Sequence, residues 1–300
     1  MTIASAPGKI VLAGEYAVLW GAPAVCMAVN RRARARVTPS DDGECHLVTP
    51  GFTGEERFRV LDAVTNGRRP GLRIELDTNA FRDDGRKTGI GSSAALAVAL
   101  AAALGNSVDV LAAALEAHAS LQGGAGSGVD VAAAVHGGLF AYEKPTRRVT
   151  PLSWPEGLCY RVIWTGISTS TEMQIGKLAA QATRASRAAL LIAAPDMCTA
   201  WQSGSADAVL AEYLPYIGVL RQFSIDHDLG IFDAGHDELT DAAMADGLIY
   251  KPAGAGGGDI GMLLGKSDAE LDAFLARRAH LVHGVLDCEL DPTGVRLEAA

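Results

Sequence analysis

Arg86-Lys87-Thr88-Gly89-Ile90-Gly91-Ser92-Ser93-Ala94-Ala95 is the stretch whose reading decides the rest of the chain. Two glycines and two serines run straight into alanines. The run from Ala94 to Leu104 has high helix propensity, and Gly105 supplies a C-terminal stop. A helix is therefore expected to begin at or just after Ser92-Ser93. Its first amide N–H groups lack intrahelical partners, and the helix dipole makes that end partly positive. Glycines let an anion approach the backbone, and serine hydroxyls can donate hydrogen bonds or reach a metal ion. The pattern is that of a phosphate cradle at a helix N-terminus. An ordinary capped helix after a glycine turn carries the same local signature. A Walker A loop is excluded, because no Gly-Lys-Ser/Thr follows at the required spacing.

Composition narrows the setting. Three hundred residues accommodate two cores, and 49% hydrophobic with 20% charged residues describes a folded globular protein. The formal net charge of −9 argues against a general binder of nucleic acid or anionic membrane. Basic contacts to a phosphate ester must then be local. Cys26, Cys45, Cys159, Cys198 and Cys288 lie far apart without a CxxC pair, which points to a reducing cytoplasm rather than a disulfide framework or a zinc site. No signal segment or membrane-length apolar run is seen.

Before the opening stretch, Thr2 to Ala6 reads as a short strand, followed by Pro7-Gly8-Lys9 and a second apolar run ending in Gly14-Glu15-Tyr16. Arg31 to Val37 alternates basic and small residues, so it reads as a half-exposed strand with solvated arginines. Cys45 to Val48, Glu56 to Val60 and Leu72 to Asp77 are expected strands, and Asn79 to Lys87 a polar connector. After it, Asp109 to Gln122 reads as a helix. Gly123-Gly124-Ala125-Gly126-Ser127-Gly128-Val129-Asp130 is a second glycine-rich turn into a helix, with Asp130 in its first turn. Gly137-Gly138 ends that helix before a strand, Leu139 to Glu143. A boundary near Pro151 to Gly157 divides the chain into 1–155 and 156–300.

The second half opens on a strand, Tyr160 to Thr165. A capping box, Thr169 with Glu172, starts a long helix to about Ala194. Asp207 to His227 reads as a helix broken or curved around Pro215 and Gly218. His236 to Asp246 is a shorter helix and Leu248 to Lys251 a strand. Gly254-Ala255-Gly256-Gly257-Gly258 then places four glycines in five residues, which requires left-handed backbone or close approach of a ligand or another backbone. Ser267 with Glu270 is a second capping box, opening a helix to about His283. Val285 to Leu290 and Val295 to Glu298 read as a closing hairpin. The half as a whole reads as an α+β sandwich.

Three motifs thus stand in order: Pro7-Gly8-Lys9 with Gly14-Glu15-Tyr16, Gly89-Ile90-Gly91-Ser92-Ser93-Ala94-Ala95, and Gly254-Ala255-Gly256-Gly257-Gly258. Their joint occurrence across nearly the whole chain resembles the GHMP kinase superfamily. Gly14-Glu15-Tyr16-Ala17-Val18, Gln122-Gly123, Gly126 to Ala132, Trp164-Thr165-Gly166 and Asp259 are most similar to its phosphomevalonate kinases. The resemblance implies a two-domain α+β fold. Its N-terminal part would be ribosomal protein S5 domain 2-like, and its C-terminal part a ferredoxin-like α/β sandwich. It implies ATP and Mg²⁺ as cofactors. Lys9 and Asp130 take the catalytic positions. By the same resemblance, Gly89, Gly91, Ser92, Ser93 and Ala94 would hold the nucleotide, with Ser92 and Ser93 also at the metal, and Glu15, Tyr16, Ser127, Gly254, Ala255, Gly256 and Gly257 would bind substrate.

The implied partner is a small phosphorylated or carboxylate substrate, for which Arg86, Lys87, Lys144 and Arg147 are candidate contacts. The oligomeric state is left open, a homodimer included. Two departures stand out. The magnesium-binding glutamate of mevalonate kinases corresponds to Ala119 here, with Glu116 and His118 nearby, and the chain is short for a phosphomevalonate kinase. Kinases of mevalonate or another small alcohol, a decarboxylase of the same superfamily, and a non-catalytic relative are the alternatives.

Overall fold

The computed structural model describes residues 1–49, 56–65, 67–68, 71–105, 110–121, 126–169, 171–179 and 184–299. The first half is a seven-stranded sheet with helices on it. Its strands are β1 (Thr2–Ala13), β2 (Ala24–Pro39), β3 (His46–Val48) and β4 (Leu72–Asp77), followed later by β7 and β8. Between them lie helix α1 (Glu56–Thr65) and a two-stranded hairpin, β5 (Arg82–Asp83) with β6 (Arg86–Lys87). Helices α2 (Ser92–Ala103), α3 (Val110–Leu121) and α4 (Val129–His136) come next, then β7 (Leu139–Glu143) and β8 (Arg148–Leu152).

The second sheet is built from β9 (Cys159–Trp164), β10 (Ile249–Pro252), β11 (Ile260–Gly265) and β12 (Gly284–Leu286), in the order β10-β11-β9-β12 and wholly antiparallel. Helices α5 (Thr171–Ala179), α6 (Ala185–Gln202), α7 (Ala206–Asp226), α8 (His236–Ala245) and α9 (Asp268–Arg277) accompany it. The final strand, β13 (Arg296–Glu298), returns to the first sheet and pairs antiparallel with β1. The whole is an α+β architecture.

Helix α2 is the axis of the first half. Its residues Ala94 to Ala101 are all buried, as expected of a helix that is apolar all round. Alanine suits it, because small side chains let α2 lie close to β1 and β2 while α3 and α4 pack on its other sides. Its N-terminus, Ser92 and Ser93, follows the Gly89–Gly91 loop and is less buried, with Ser92 half-buried and Ser93 exposed.

Several expectations need correction. The strand at Thr2 continues to Ala13 through a register shift between Pro7 and Gly8, so Lys9 sits within a strand. Glu56 to Val60 is helical: Val60, Leu61 and Val64 are its buried face, a helical spacing that a five-residue window of alternating residues conceals. The helix expected to reach Ala194 is two helices, α5 and α6. The helix at 207–227 is unbroken, although Pro215 lies inside it. Burial of Val209, Tyr213, Tyr216, Ile217, Leu220 and Phe223 on one face outweighs the ~3 kcal/mol intrinsic cost of an internal proline. Ser267 begins α9 but makes no side-chain cap, and α9 ends at Arg277 instead of His283. The glycine-rich turn at 122–125 and the Glu172 capping side chain lie outside the described residues.

The closing hairpin is also absent, because its two strands belong to different sheets. Arg32 accounts for this. Its guanidinium donates to Ser5 Oγ and O, Asp291 Oδ2, Thr293 O and Gly294 O, at 2.5–3.0 Å. All five donors are thus occupied by β1 and the 291–294 turn, steering the end of the chain onto the first sheet. Arg34 and Arg36 are largely exposed, as expected, but Arg32 is not on a solvated face.

Candidate active site

The site begins where β1 passes under the start of α2. A Cβ at Gly8 would lie 2.6 Å from Ile90 O, so only glycine lets the loop cross there. The Lys9 N–H donates to the same carbonyl at 2.8 Å. Gly91, with φ of 86°, is the N-cap of α2, and the first intrahelical bond runs from Ala95 N to Gly91 O. The amides of Ser92, Ser93 and Ala94 precede that bond. Gly89 is exposed, Ser92 is half-buried, Ser93 is exposed and Ala94 is buried behind them.

Lys9 is where the three motifs meet. Its side chain runs along Gly91, whose Cβ would lie 3.0 Å from Lys9 Cγ and 3.4 Å from Cε. Its Nζ would lie 3.6 Å from a Cβ on Gly254. The lysine therefore spans from the phosphate-cradle loop to the third glycine motif.

Lys9 and Asp130 line one cleft together with Glu15, Tyr16, Ser127, Gly254 and Ala255, and Val11, Val18, Leu19, Val129 and Ile175 supply its apolar walls. Gly128, with φ of 80°, caps α4 and puts Asp130 in the first turn. Asp130 Oδ1 accepts from the Val131 N–H at 3.1 Å, and Ser127 Oγ accepts from Val129 N at 3.3 Å. Tyr142 donates to Ser127 O at 3.2 Å and so secures the preceding turn. Cys26 lies beneath these charges. Burial pushes its thiol up to about 12, with Lys9 pulling it down and Asp130 and Glu15 pushing it up. It is a packing residue and not a nucleophile.

Glu15 and Tyr16 do different work, although they are neighbours. The Glu15 carboxylate is buried and ion-pairs with Lys251, itself fully buried on β10. Tyr216 of α7 donates to Glu15 Oε2 at 2.8 Å while its oxygen accepts from the Gly14 N–H at 2.8 Å. Tyr16 donates to Ala255 O at 2.6 Å. These bonds tie the end of the first motif to the start of the third. Glu15 lines the cleft, but its charge is met by Lys251. Burial, and next the Glu15 charge, hold the Tyr16 hydroxyl well above its ordinary value, so it stays a donor.

The third motif is split. Gly254 and Ala255 face the cleft. Gly256 and Gly257 do not: a Cβ on Gly256 would strike Ile231 O at 2.5 Å, and the Gly257 N–H donates to Ile231 O at 2.8 Å. Gly258 O accepts from His236 Nε2 at 2.9 Å, and His236 Nδ1 meets Tyr250 Oη at 2.8 Å. Burial lowers the His236 pKa to about 4, so the ring is neutral near pH 7. Asp259 follows, its carboxyl group against Gly89. Burial raises its pKa, opposed by the Thr169 amide, Lys9, Ser168 and Lys87.

The remaining candidates scatter. Arg86 Nη1 donates to Gly166 O at 3.1 Å, bridging the two halves beside the loop. Arg147 lies near Tyr142, and Lys144 in the β7–β8 turn. Ala119 and Glu116 are exposed on α3, and the His118 side chain lies outside the described residues. Among the described residues no three acidic, histidine or cysteine side chains gather as a metal site. The Ser92 and Ser93 hydroxyls at an open helix N-terminus still fit magnesium in its usual manner, held by few protein groups and by substrate phosphates. Sequence reading gave no role to Lys251, Tyr216 or His236. Lys251, a lysine inside an apolar strand, was the available signal for the first; the other two carried none.

Comparison with known proteins gives the kinship of the chain. Residues 57–138 match the family of GHMP kinases N terminal domains. The phosphomevalonate kinase of Streptomyces sp. (strain CL190) is 30% identical over an alignment of 360 positions, covering 96% of each chain. The mevalonate kinase of Archaeoglobus fulgidus is 29% identical over 309 positions, covering 99% of each. Among solved structures, the Lin0012 protein from Listeria innocua has a TM-score of 0.85 at 21% identity, covering 100% of this chain and 99% of that one. The Streptococcus pneumoniae phosphomevalonate kinase in complex with phosphomevalonate and AMPPNP has a TM-score of 0.78 at 18% identity, covering 99% and 100%. The two structures share the fold. Loops, cleft and kinship together define a phosphotransferase acting on small molecules. Its family is the GHMP kinases, to which this chain belongs.

Proposed function

We propose that the chain transfers the γ-phosphoryl group of ATP to phosphomevalonate, in the mevalonate route to isoprenoids. The observation that carries the catalytic reading is Lys9. Its stem runs along Gly91, its ammonium group lies beside Gly254, and it shares a cleft with Asp130. The acceptor is supported by the 30% identity to a phosphomevalonate kinase over 96% of both chains.

Phosphoryl transfer requires positioning and charge neutralisation more than covalent help. In this reading the amides and hydroxyls at Ser92 and Ser93 hold the nucleotide phosphates. Bound magnesium, held by those hydroxyls and the phosphates, would neutralise charge on the transferring group. Lys9 stabilises the phosphoryl group in flight. Asp130 orients the acceptor. A phosphate-ester oxygen is largely ionised near pH 7, so it needs orientation more than deprotonation. The Lys251-paired Glu15 shapes the cleft instead of contacting the acceptor. The five thiols are free, which supports a cytoplasmic setting, and no described helix is long and apolar enough to cross a membrane.

Mevalonate is the second reading, favoured by the nearly equal identity to the Archaeoglobus enzyme. The test is ADP formation with phosphomevalonate, mevalonate, diphosphomevalonate, homoserine and galactose, with products read by phosphorus NMR and CO₂ release followed in parallel. Diphosphomevalonate should form from phosphomevalonate at the highest kcat/KM. Turnover of mevalonate alone would overturn the acceptor assignment, and CO₂ release would reassign the chain to the decarboxylases.

A further inference from the structure

Asp259 is the one acidic side chain among the described residues that is pressed against the phosphate-cradle loop, and the reaction as described does not use it. Any Cβ on Gly89 would overlap its carboxyl group, so the glycine is required for the contact to form. The other end of that contact is built into the second half. Asp259 Oδ1 accepts from the Thr169 N–H at 3.2 Å, and Ser168 also bonds the carboxylate. The Asp259 N–H donates to Ile167 O at 2.6 Å, and its carbonyl accepts from Thr165 N at 3.0 Å and Thr165 Oγ1 at 3.1 Å. The residue holds φ of 54°, a left-handed conformation unusual outside glycine and costly unless its surroundings fix it.

Those surroundings fix it from several sides. Gly258 admits Thr169 Oγ1 to within 2.5 Å of where a Cβ would be, and His236 holds the Gly258 carbonyl. A strained, fully bonded aspartate thus projects from the second sheet onto the loop that leads into α2. The loop is also tied by Thr88 N and Oγ1 donating to Phe81 O at 3.1 and 3.0 Å, by Lys9 N donating to Ile90 O and by Ala95 N donating to Gly91 O.

We propose that Asp259 is a positioning residue for the cradle, setting the place of Thr88–Gly91 from the far side of the cleft through the bonded carboxyl group rather than through its charge. The proposal rests on the reading that this loop holds the nucleotide. It ascribes part of the nucleotide affinity to a contact between the halves, from Asp259 to Gly89.

The test compares Asp259→Ala with Asp259→Asn, which keeps an acceptor for Thr169 and nearly the same shape. In the ligand-free protein, hydrogen exchange over Thr88–Ser93 should quicken in the alanine variant and stay at the wild-type rate in the asparagine variant. Calorimetry with ADP and magnesium chloride should then give about tenfold weaker binding for alanine, the scale of one lost hydrogen bond, and within about threefold of wild type for asparagine. In turnover the loss should appear in KM for ATP with kcat little changed, and Tm should move by no more than a few degrees.

Unchanged exchange over Thr88–Ser93 in Asp259→Ala overturns the proposal. So does an asparagine variant as weak as alanine, since that assigns the role to charge facing a cation or lysine. A general fall in Tm with uniform exchange across the chain would make Asp259 a stability residue only. Exchange changes as expected in a protein that binds no ADP would leave the positioning contact standing and remove the nucleotide reading beneath it.

Discussion

The two glycine loops at the cleft, Thr88–Gly91 and Gly254–Gly258, look alike as sequence and differ in what their glycines accommodate. At Gly91 a side chain would meet the flexible stem of Lys9. At Gly256 it would meet the backbone of Ile231 at 2.5–2.8 Å, which cannot move aside. Gly254, at the front of the same motif, has Lys9 Nζ as its neighbour. One loop leaves room beside the flexible stem of Lys9; the other is half cleft-facing and half docked on a neighbouring turn. The density of glycines in the third motif therefore has two causes, and its front pair, Gly254 and Ala255, is the part that lines the cleft.

The anchors of the docked loop offer the strongest way to break this contrast. Lys251→Met leaves the Glu15 carboxylate buried without its partner, a loss of ~3–5 kcal/mol. The midpoint of thermal unfolding should fall by about 10 °C. Adding Glu15→Gln should recover part of the loss, because the uncompensated charge is gone. A Lys251→Met midpoint within a degree or two of wild type would mean that the ion pair holds nothing together.

Gly256→Ala comes next. A forced φ of 70° and the clash with Ile231 together cost about 3 kcal/mol. The folded fraction should bind ADP normally. Normal stability with lost nucleotide binding would return Gly256 to the site.

His236 sharpens the comparison through pH. Its folded pKa of about 4 lies below the ordinary value near 6.5, so the unfolded chain binds the extra proton first. Its contribution is fully present above pH 6.5 and is lost as pH falls toward 4, about 3 kcal/mol in all. Chemical denaturation between pH 7 and 4 should show a shallower pH slope in His236→Gln than in wild type; parallel slopes would contradict the burial argument. Gly91→Ala is the smallest change in stability, about 1 kcal/mol for its left-handed φ, yet it should raise KM for ATP about tenfold. An unchanged KM would show that this glycine, too, serves packing.

Much of this was legible in the chain, for a physical reason. Helix starts after glycine are local events, so α2, α4 and the left-handed turns at Gly91 and Gly128 follow from neighbouring residues alone. The bonds between halves are not local. Tyr216 is 201 residues from Glu15, and nothing around it announces that its hydroxyl is needed there. Arg32 read as a solvated strand arginine because its five acceptors come from Ser5 and from the 291–294 turn. Glu56 to Val60 misled for the opposite reason: five residues are too few to separate a period of 2 from one of 3.6, and the buried Leu61 and Val64 lay beyond the window. Burial of one face kept α7 intact across Pro215, where local propensity alone argues for a break.

The central claim is that Lys9 and Asp130 act on the same phosphoryl group across the cleft. The most direct measurement is steady-state turnover of Lys9→Met, Asp130→Asn and the double variant with the best acceptor, beside ADP affinity and Tm for each. Each single variant should lose at least ~10²-fold in kcat, the scale of a missing orienting or charge-stabilising group, with Asp130→Asn still binding ADP. The double variant should be little worse than either single one, because groups that act as a unit are not additive. Near-normal turnover in both single variants would contradict the account, and losses that multiply in the double variant would show that the two residues work separately.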